Sequence, residues 1–182
     1  MDWIFAYGSL VWRPAFDYVA ARKAILRGWR RRFWQASPDH RGVPGAPGRV
    51  VTLVREPQAQ CWGLAYALPV AGRDTLLAAL DRREQNGYVR HAIEVEFEDG
   101  MRARALTYIA PPDNPSFVGP AALADMAVQI ARAVGPSGTN LEYVLALADS
   151  LSGLGVHDDE VHALREALRA HEAGPPTLAP RS

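Results

Sequence analysis

Arg49-Val50-Val51-Thr52-Leu53-Val54-Arg55 and, shortly after it, Cys61-Trp62-Gly63-Leu64-Ala65-Tyr66-Ala67-Leu68 are the stretches that decide the fold class. Both are rich in β-branched and aromatic residues, and both are bounded by Gly, Pro or polar turns, so they read as strands. Upstream, Trp3 to Tyr7 is a short apolar run ending at Gly8-Ser9, and Ala24 to Phe33 alternates like a strand. Ser37 to Gly48 carries Pro44, Gly45, Pro47 and Gly48, which makes it a loop, restricted by its prolines. Downstream, Leu76, Leu77 and Leu80 share one face of a helix expected over Asp74 to Arg83, with Asp74 as N-cap. Val89 to Phe97 and Arg102 to Ile109 follow as strands, joined through Glu98-Asp99-Gly100, a hairpin signal.

Beyond the rigid connector Pro111 to Pro115 the chain turns helical. Helical periodicity covers Pro120 to Val134, and Gly135-Pro136-Ser137-Gly138 breaks it. Thr139-Asn140-Leu141-Glu142 is a capping-box pattern opening a helix with Leu141, Val144, Leu145, Ala148 and Leu151 as its buried stripe. A last helix is expected from Asp158 to His171. Strands first and helices later predict an α+β fold. Residues 1–172 are expected to form one domain and residues 173–182, rich in proline, a flexible C-terminal tail.

The chain has 182 residues, and its 20 Lys+Arg balance 20 Asp+Glu, so no global field draws it to nucleic acid or anionic lipid. Cys61 is its single cysteine, which excludes an intramolecular disulfide. The N-terminal residues lack the basic and apolar regions of a signal peptide, and no apolar run reaches the ~18 residues of a membrane span. These features predict a cytoplasmic protein with no membrane and no nucleic-acid partner.

Several constellations bear on chemistry. Phe5-Ala6-Tyr7-Gly8-Ser9-Leu10 follows a strand directly, and a Gly-Ser step there exposes backbone N–H groups that suit a carboxylate; an ordinary strand-end turn would look the same. Glu84 closes the first helix, where the dipole is negative and a carboxylate is disfavoured by up to ~1 kcal/mol. Such placement suits a working acid, although Asp81, Arg82 and Arg83 would equally make a solvated charge cluster. Trp29-Arg30-Arg31-Arg32-Phe33-Trp34 interleaves bases and aromatics as single-strand binders do. Alternation instead sends Trp29, Arg31 and Phe33 to one side and leaves a basic strand face. Cys61, His40 and Asp39 can be assembled on paper into a nucleophile and base, yet a lone Cys in an apolar strand is usually a buried small hydrophobe. His40, His91, His157, His162 and His171 show no metal spacing, and His157 and His162 are expected to be exposed. No phosphate loop, Gly-x-Gly-x-x-Gly motif or nucleophile elbow occurs.

In chain order the sequence holds Tyr7-Gly8-Ser9-Leu10-Val11-Trp12, Arg32-Phe33-Trp34-Gln35, Asp39-His40-Arg41-Gly42-Val43-Pro44 and Pro47 to Leu53. Trp62-Gly63-Leu64-Ala65-Tyr66, Leu80-Asp81 with Arg83-Glu84 and Gly87-Tyr88, Asn114-Pro115, and Gly135 to Gly138 with Asn140, Glu142 and Tyr143 follow. Together these strings resemble the glutathione-specific γ-glutamylcyclotransferases, the ChaC-like family, over nearly the whole chain. The resemblance implies a small mixed β-barrel flanked by helices, the γ-glutamyl cyclotransferase-like fold, and conversion of glutathione to 5-oxoproline and Cys-Gly. It implies Glu84 as the catalytic glutamate. It also implies a binding loop over Ile4, Phe5, Ala6, Tyr7, Gly8 and Ser9, with Leu10 beside it, and a pocket tyrosine at Tyr143. Ala6 departs from the pattern, since close relatives often carry glycine before Tyr-Gly-Ser. No metal or cofactor has a part in the implied reaction. Cyclotransferases acting on other γ-glutamyl amino acids or amines, and a non-catalytic γ-glutamyl-binding protein, are the alternatives. Oligomeric state is not readable from the sequence.

Overall fold

In the computed structural model, which describes residues 3–173, the chain orders its strands and helices as the sequence predicts, and five strands close into a barrel. These are β1 (Trp3–Ala6), β2 (Ala20–Ser37), β3 (Gly48–Ala67), β4 (Val89–Phe97) and β5 (Arg102–Ile109), in spatial order β1-β3-β2-β4-β5. Neighbours pair antiparallel except β1 and β5, whose parallel contact Trp3↔Ala105 and Ile4↔Leu106 completes the ring. The barrel is therefore small and mixed.

Two runs read as separate strands, Arg49 to Arg55 and Cys61 to Leu68, are one long strand. The β2–β3 register moves from Arg27↔Gln60 to Trp29↔Arg55, so Glu56 to Ala59 stand opposite Gly28 alone. Pro57 sits in this bulge, where its missing N–H breaks no ladder bond. Gly28 takes the positive φ of 77° that the bend needs.

Helix α1 (Arg73–Arg83) links β3 to β4, and α2 (Leu123–Arg132), α3 (Asn140–Gly153) and α4 (Asp159–Ala173) follow the barrel. The short pair β6 (Val134–Gly135) and β7 (Gly138–Thr139) forms the break before α3. Asp74 is not the cap of α1: Gly72 is, at φ 75°, and Asp74 lies in the first turn. The Thr139 capping box is present, its Oγ1 accepting from Glu142 N at 3.1 Å while Glu142 Oε2 accepts from Thr139 N at 3.0 Å. The buried stripe of α3 is Asn140, Tyr143, Val144, Leu147, Ala148 and Leu151; the expected Leu141 and Leu145 are only half-buried, and Tyr143 and Leu147 take their place. Its apolar side chains join Phe5, Phe33, Val51 and Val95 from the barrel and Ile130, Val161 and Leu164 from α2 and α4 in the main core. Each fully buried aliphatic side chain contributes roughly 1.5–3 kcal/mol. Ala173, where the tail is expected to begin, instead belongs to α4; the rest of that expected tail, residues 174–182, lies outside the described residues.

The basic-aromatic run on β2 shows the expected alternation. Arg31 and Phe33 are buried, while Arg30 and Arg32 pair outside with Glu56 and Glu160. Arg31 is the surprise, at 1% exposed. Its guanidinium donates to Tyr7 O at 2.7 Å and Trp62 O at 2.5 Å and meets Asp158 at 2.7 Å, so every part of the fork has an acceptor. The expectation that His162 is exposed fails. It is buried, with Nδ1 2.8 Å from Asp158 O and Nε2 3.1 Å from Ser152 Oγ.

Candidate active site

The end of α1 places the acid. Glu84 is the C-cap: its N–H still reaches Leu80 O at 2.8 Å, but at φ −84° and ψ 56° the chain leaves the helix. Asn86 (φ 61°) and Gly87 (φ 88°) then turn it into β4 through two left-handed residues. A buried amide network fixes that turn. Gln35, with no exposed surface, donates through Nε2 to Asn86 O at 2.7 Å and to Asn114 Oδ1 at 3.2 Å. Asn86 Nδ2 donates to Ala36 O at 3.0 Å, and Ser116 Oγ to Asn86 Oδ1 at 2.6 Å. A Cβ on Gly87 would collide with the Asn114 side chain.

The Glu84 side chain is 18% exposed, with Arg83 Nε 3.5 Å from its Oε1. Arg83 also donates to Arg13 O and Pro14 O, both at 3.2 Å, and to Ser9 Oγ at 3.3 Å. One arginine thus ties the carboxylate to the loop after β1. Burial pushes the Glu84 carboxyl above its ordinary range, against the smaller pull of Arg83 and His40. Desolvation, which the position at the helix end does not by itself reveal, is the first cause of the shift.

That loop leaves β1 through Tyr7-Gly8 and winds into a single 3₁₀ turn, Ser9–Val11. The Gly8, Ser9 and Leu10 amides meet no acceptor among the described residues. Gly8 has a negative φ, so its need for glycine is spatial: an added Cβ would lie 3.0 Å from Val51 Cγ2 and 3.2 Å from the Tyr143 hydroxyl. Three phenols surround it. Tyr7 donates to Tyr108 O and Tyr88 to Val51 O, each at 2.6 Å, whereas the Tyr143 oxygen accepts from Val51 N at 3.4 Å. Tyr143 therefore keeps its own proton to donate. Burial raises all three above the ordinary phenol range, so they are neutral at physiological pH.

These groups line one cavity of about 340 Å³, within the size range of small-molecule sites. Phe5, Ala6, Tyr7, Gly8, Ser9, Leu10, Glu84 and Tyr143 are all on its wall. Ile4 is not. It is fully buried in the second core cluster beside Tyr66 and Leu80. Ala6 stays within β1 as a small, 1% exposed part of the wall. Sequence reasoning missed Arg13, Arg41, Arg83 and Tyr88 on the wall and Gln35 behind it; all but Arg13 lay within the motif strings but carried no chemical pattern of their own.

Asp39 and His40 reach the cavity from the Ser37–Gly48 loop, which a Val43↔Ala46 bridge orders. Cys61 does not join them. It is buried inside the barrel, and desolvation pushes its thiol up to about 11, so no nucleophile–base pair forms. Among the described residues no three His, Cys, Asp or Glu side chains gather to hold a metal ion, and no helix is long and apolar enough to cross a membrane. Chemically, the cavity sets a desolvated carboxylate against unpaired backbone amides and a phenol donor, an arrangement suited to moving a proton beside a held anion.

Known proteins share this arrangement of chain. A family model described as ChaC-like protein matches residues 2–171. Glutathione-specific gamma-glutamylcyclotransferase 1 of Danio rerio is 41% identical over 175 residues, covering 92% of this chain and 89% of that protein. The Homo sapiens protein of the same name is 41% identical over 172 residues, covering 91% and 78%. The crystal structure of a yeast γ-glutamyl cyclotransferase specific to glutathione superposes with a TM-score of 0.86 at 30% identity, covering 92% of this chain and 95% of that one. With the barrel, the Tyr7-Gly8-Ser9 turn and Glu84 in one cavity, these likenesses establish that the chain belongs to the ChaC-like protein family.

Proposed function

We propose that this protein is a glutathione-specific γ-glutamylcyclotransferase, converting glutathione to 5-oxoproline and Cys-Gly. The observation that carries the reading is Glu84, a largely buried carboxylate on the wall of the same small-molecule-sized cavity as the Gly8-Ser9 turn. The names of the curated relatives supply the substrate.

The reaction uses groups the substrate brings. The α-amine of the γ-glutamyl unit attacks its own γ-carbonyl, the new C–N bond closes a five-membered ring, and the bond to the cysteinyl nitrogen breaks. Holding the reacting atoms together supplies on the order of 7–11 kcal/mol of the barrier. A free α-amine has a pKa of about 8, so it needs a base at neutral pH. Glu84 takes that proton and returns one to the departing nitrogen, for roughly 10²–10⁴-fold in rate. Its raised pKa brings the carboxyl closer in acidity to the amine it must deprotonate, so proton transfer to it is less uphill. The Gly8, Ser9 and Leu10 amides hold the α-carboxylate or polarise the carbonyl, and Tyr143 donates beside them. No step calls for a metal or cofactor. A cytoplasmic setting goes with this reading, because reduced glutathione and an unpaired Cys61 both belong to a reducing compartment.

Glu84→Gln keeps the shape and removes the proton carrier. It should lose turnover by about 10²-fold or more while glutathione still protects the protein against thermal unfolding. Retained turnover in the folded variant would remove Glu84 from its role.

A further inference from the structure

Five charged residues, Arg13, Asp39, Arg41, Arg83 and Glu84, line the cavity together with His40. Arg83 is matched by Glu84 at 3.5 Å and His40 by Asp39 at 3.8 Å. Arg41 has Glu142 at 3.6 Å, outside the wall, and Arg13 has no carboxylate partner among the described residues. Two guanidinium groups, those of Arg13 and Arg41, thus line the cavity with no carboxylate partner on its wall among the described residues.

This charge is held in place. Arg41 has a side chain 11% exposed, donates to Thr139 O at 3.0 Å and lies over the Tyr143 ring at 5.7 Å. The contacts to Thr139 and Glu142 both use Nη1, which leaves Nη2 and Nε without partners among the described residues. Arg13 is carried by the segment after the 3₁₀ turn, where its N–H donates to Ser9 O at 2.9 Å and its carbonyl accepts from Arg83. Ala15, two residues on and also on the wall, adopts φ 54°, an unusual conformation for a residue with a side chain. Burial above all, and secondarily the Arg13 charge, holds the Arg41 guanidinium below its ordinary range despite opposing pulls from Tyr143 and Glu142. A protein that brings two guanidinium groups to one cavity without a shared counter-ion leaves room for an anion.

The reaction proposed above needs one. Glutathione has two carboxylates: the α-carboxylate of the γ-glutamyl unit, matched to the Gly8 turn, and the glycine carboxylate of the leaving dipeptide. We propose that Arg13 and Arg41 bind the glycine carboxylate, and so set the preference for a tripeptide over γ-glutamyl amines. The proposal rests on the cyclotransferase reading. Arg41 supplies the buried, fixed half of the clamp, and Arg13 the exposed half.

The test compares kcat/KM for glutathione and for its glycine ethyl ester, which keeps every reacting atom and loses the second carboxylate. The wild type should favour glutathione by about tenfold or more, as charge-assisted hydrogen bonds to a carboxylate warrant. In Arg41→Gln and in Arg13→Gln that preference should fall toward unity, through KM more than kcat. Arg13 is exposed, so its variant folds even if Arg41→Gln does not. Equal wild-type handling of acid and ester, or an undiminished preference in Arg13→Gln, overturns the clamp while leaving the cyclotransferase reading intact. Cyclisation of neither compound by the wild type overturns that reading, and the clamp with it.

Discussion

Gly8→Ala tests whether the β1 turn is the anchor of the site. The added Cβ would stand 3.0 Å from Val51 Cγ2 and 3.2 Å from the Tyr143 hydroxyl, both inside the roughly 3.5–4.0 Å of favourable contact. Val51 is 2% and Tyr143 5% exposed, so neither can swing into solvent, and something must move by a few tenths of an ångström. Overpacking of this kind costs about 1–3 kcal/mol. The loss stays below about 3 kcal/mol, within the 5–15 kcal/mol of a typical domain, so the variant folds. The site fares worse. The Tyr143–Val51 hydrogen bond, already 3.4 Å, is the part that yields. Losing one neutral hydrogen bond of about 0.5–1.5 kcal/mol from substrate positioning raises KM roughly two- to tenfold. Initial rates of Cys-Gly release, with urea denaturation beside them, separate the two effects. The double variant with Tyr143→Phe removes the polar one of these two contacts and should be less than additive in stability. A folded Gly8→Ala protein with unchanged KM would refute the argument.

Other expectations follow from the same contacts. Gln35→Leu strands the Asn86 carbonyl and costs about 1–3 kcal/mol of stability; it should lower kcat as well, because Glu84 lies two residues before that turn, and an unaltered kcat at saturation would show that the turn does not position the acid. For Glu84→Gln the pH dependence of stability has a defined sign. A carboxyl with a raised folded pKa binds protons better in the folded state, so its contribution is fully present below the ordinary value of 4.5 and declines as pH rises through the folded pKa. The variant should therefore melt above the wild type at neutral pH and together with it near pH 4, by differential scanning calorimetry; a lower Tm at pH 7 would contradict the desolvation account. Cys61, with a thiol near 11 and no exposure to speak of, should resist alkylation in the native protein and react in denaturant, as mass spectrometry would report.

Much of this fold was legible because period-two and capping patterns are local. The Thr139–Glu142 box and the order of strands before helices needed nothing beyond neighbouring residues. What escaped was set by partners far along the chain. Pro57 reads as a strand break until Gly28, on another strand, shows that both belong to one bulge. Alternation puts Arg31 on the side of Trp29 and Phe33, but what lets a guanidinium stay buried there shows only when Tyr7, Trp62 and Asp158 converge on it. His162 looks exposed until the Asp158 and Ser152 contacts are known. Within the site, Glu84 and the Gly8 turn were named from motif strings, whereas the reason for the shifted carboxyl, burial in a cavity closed by Arg83 and three tyrosines, belongs to tertiary structure alone.

The most direct measurement is incubation of the purified protein with millimolar reduced glutathione and no added metal, following 5-oxoproline and Cys-Gly by mass spectrometry. Stoichiometric appearance of both products, lost in Glu84→Gln, is the result this account predicts. A folded wild-type protein that forms neither product from glutathione would contradict it.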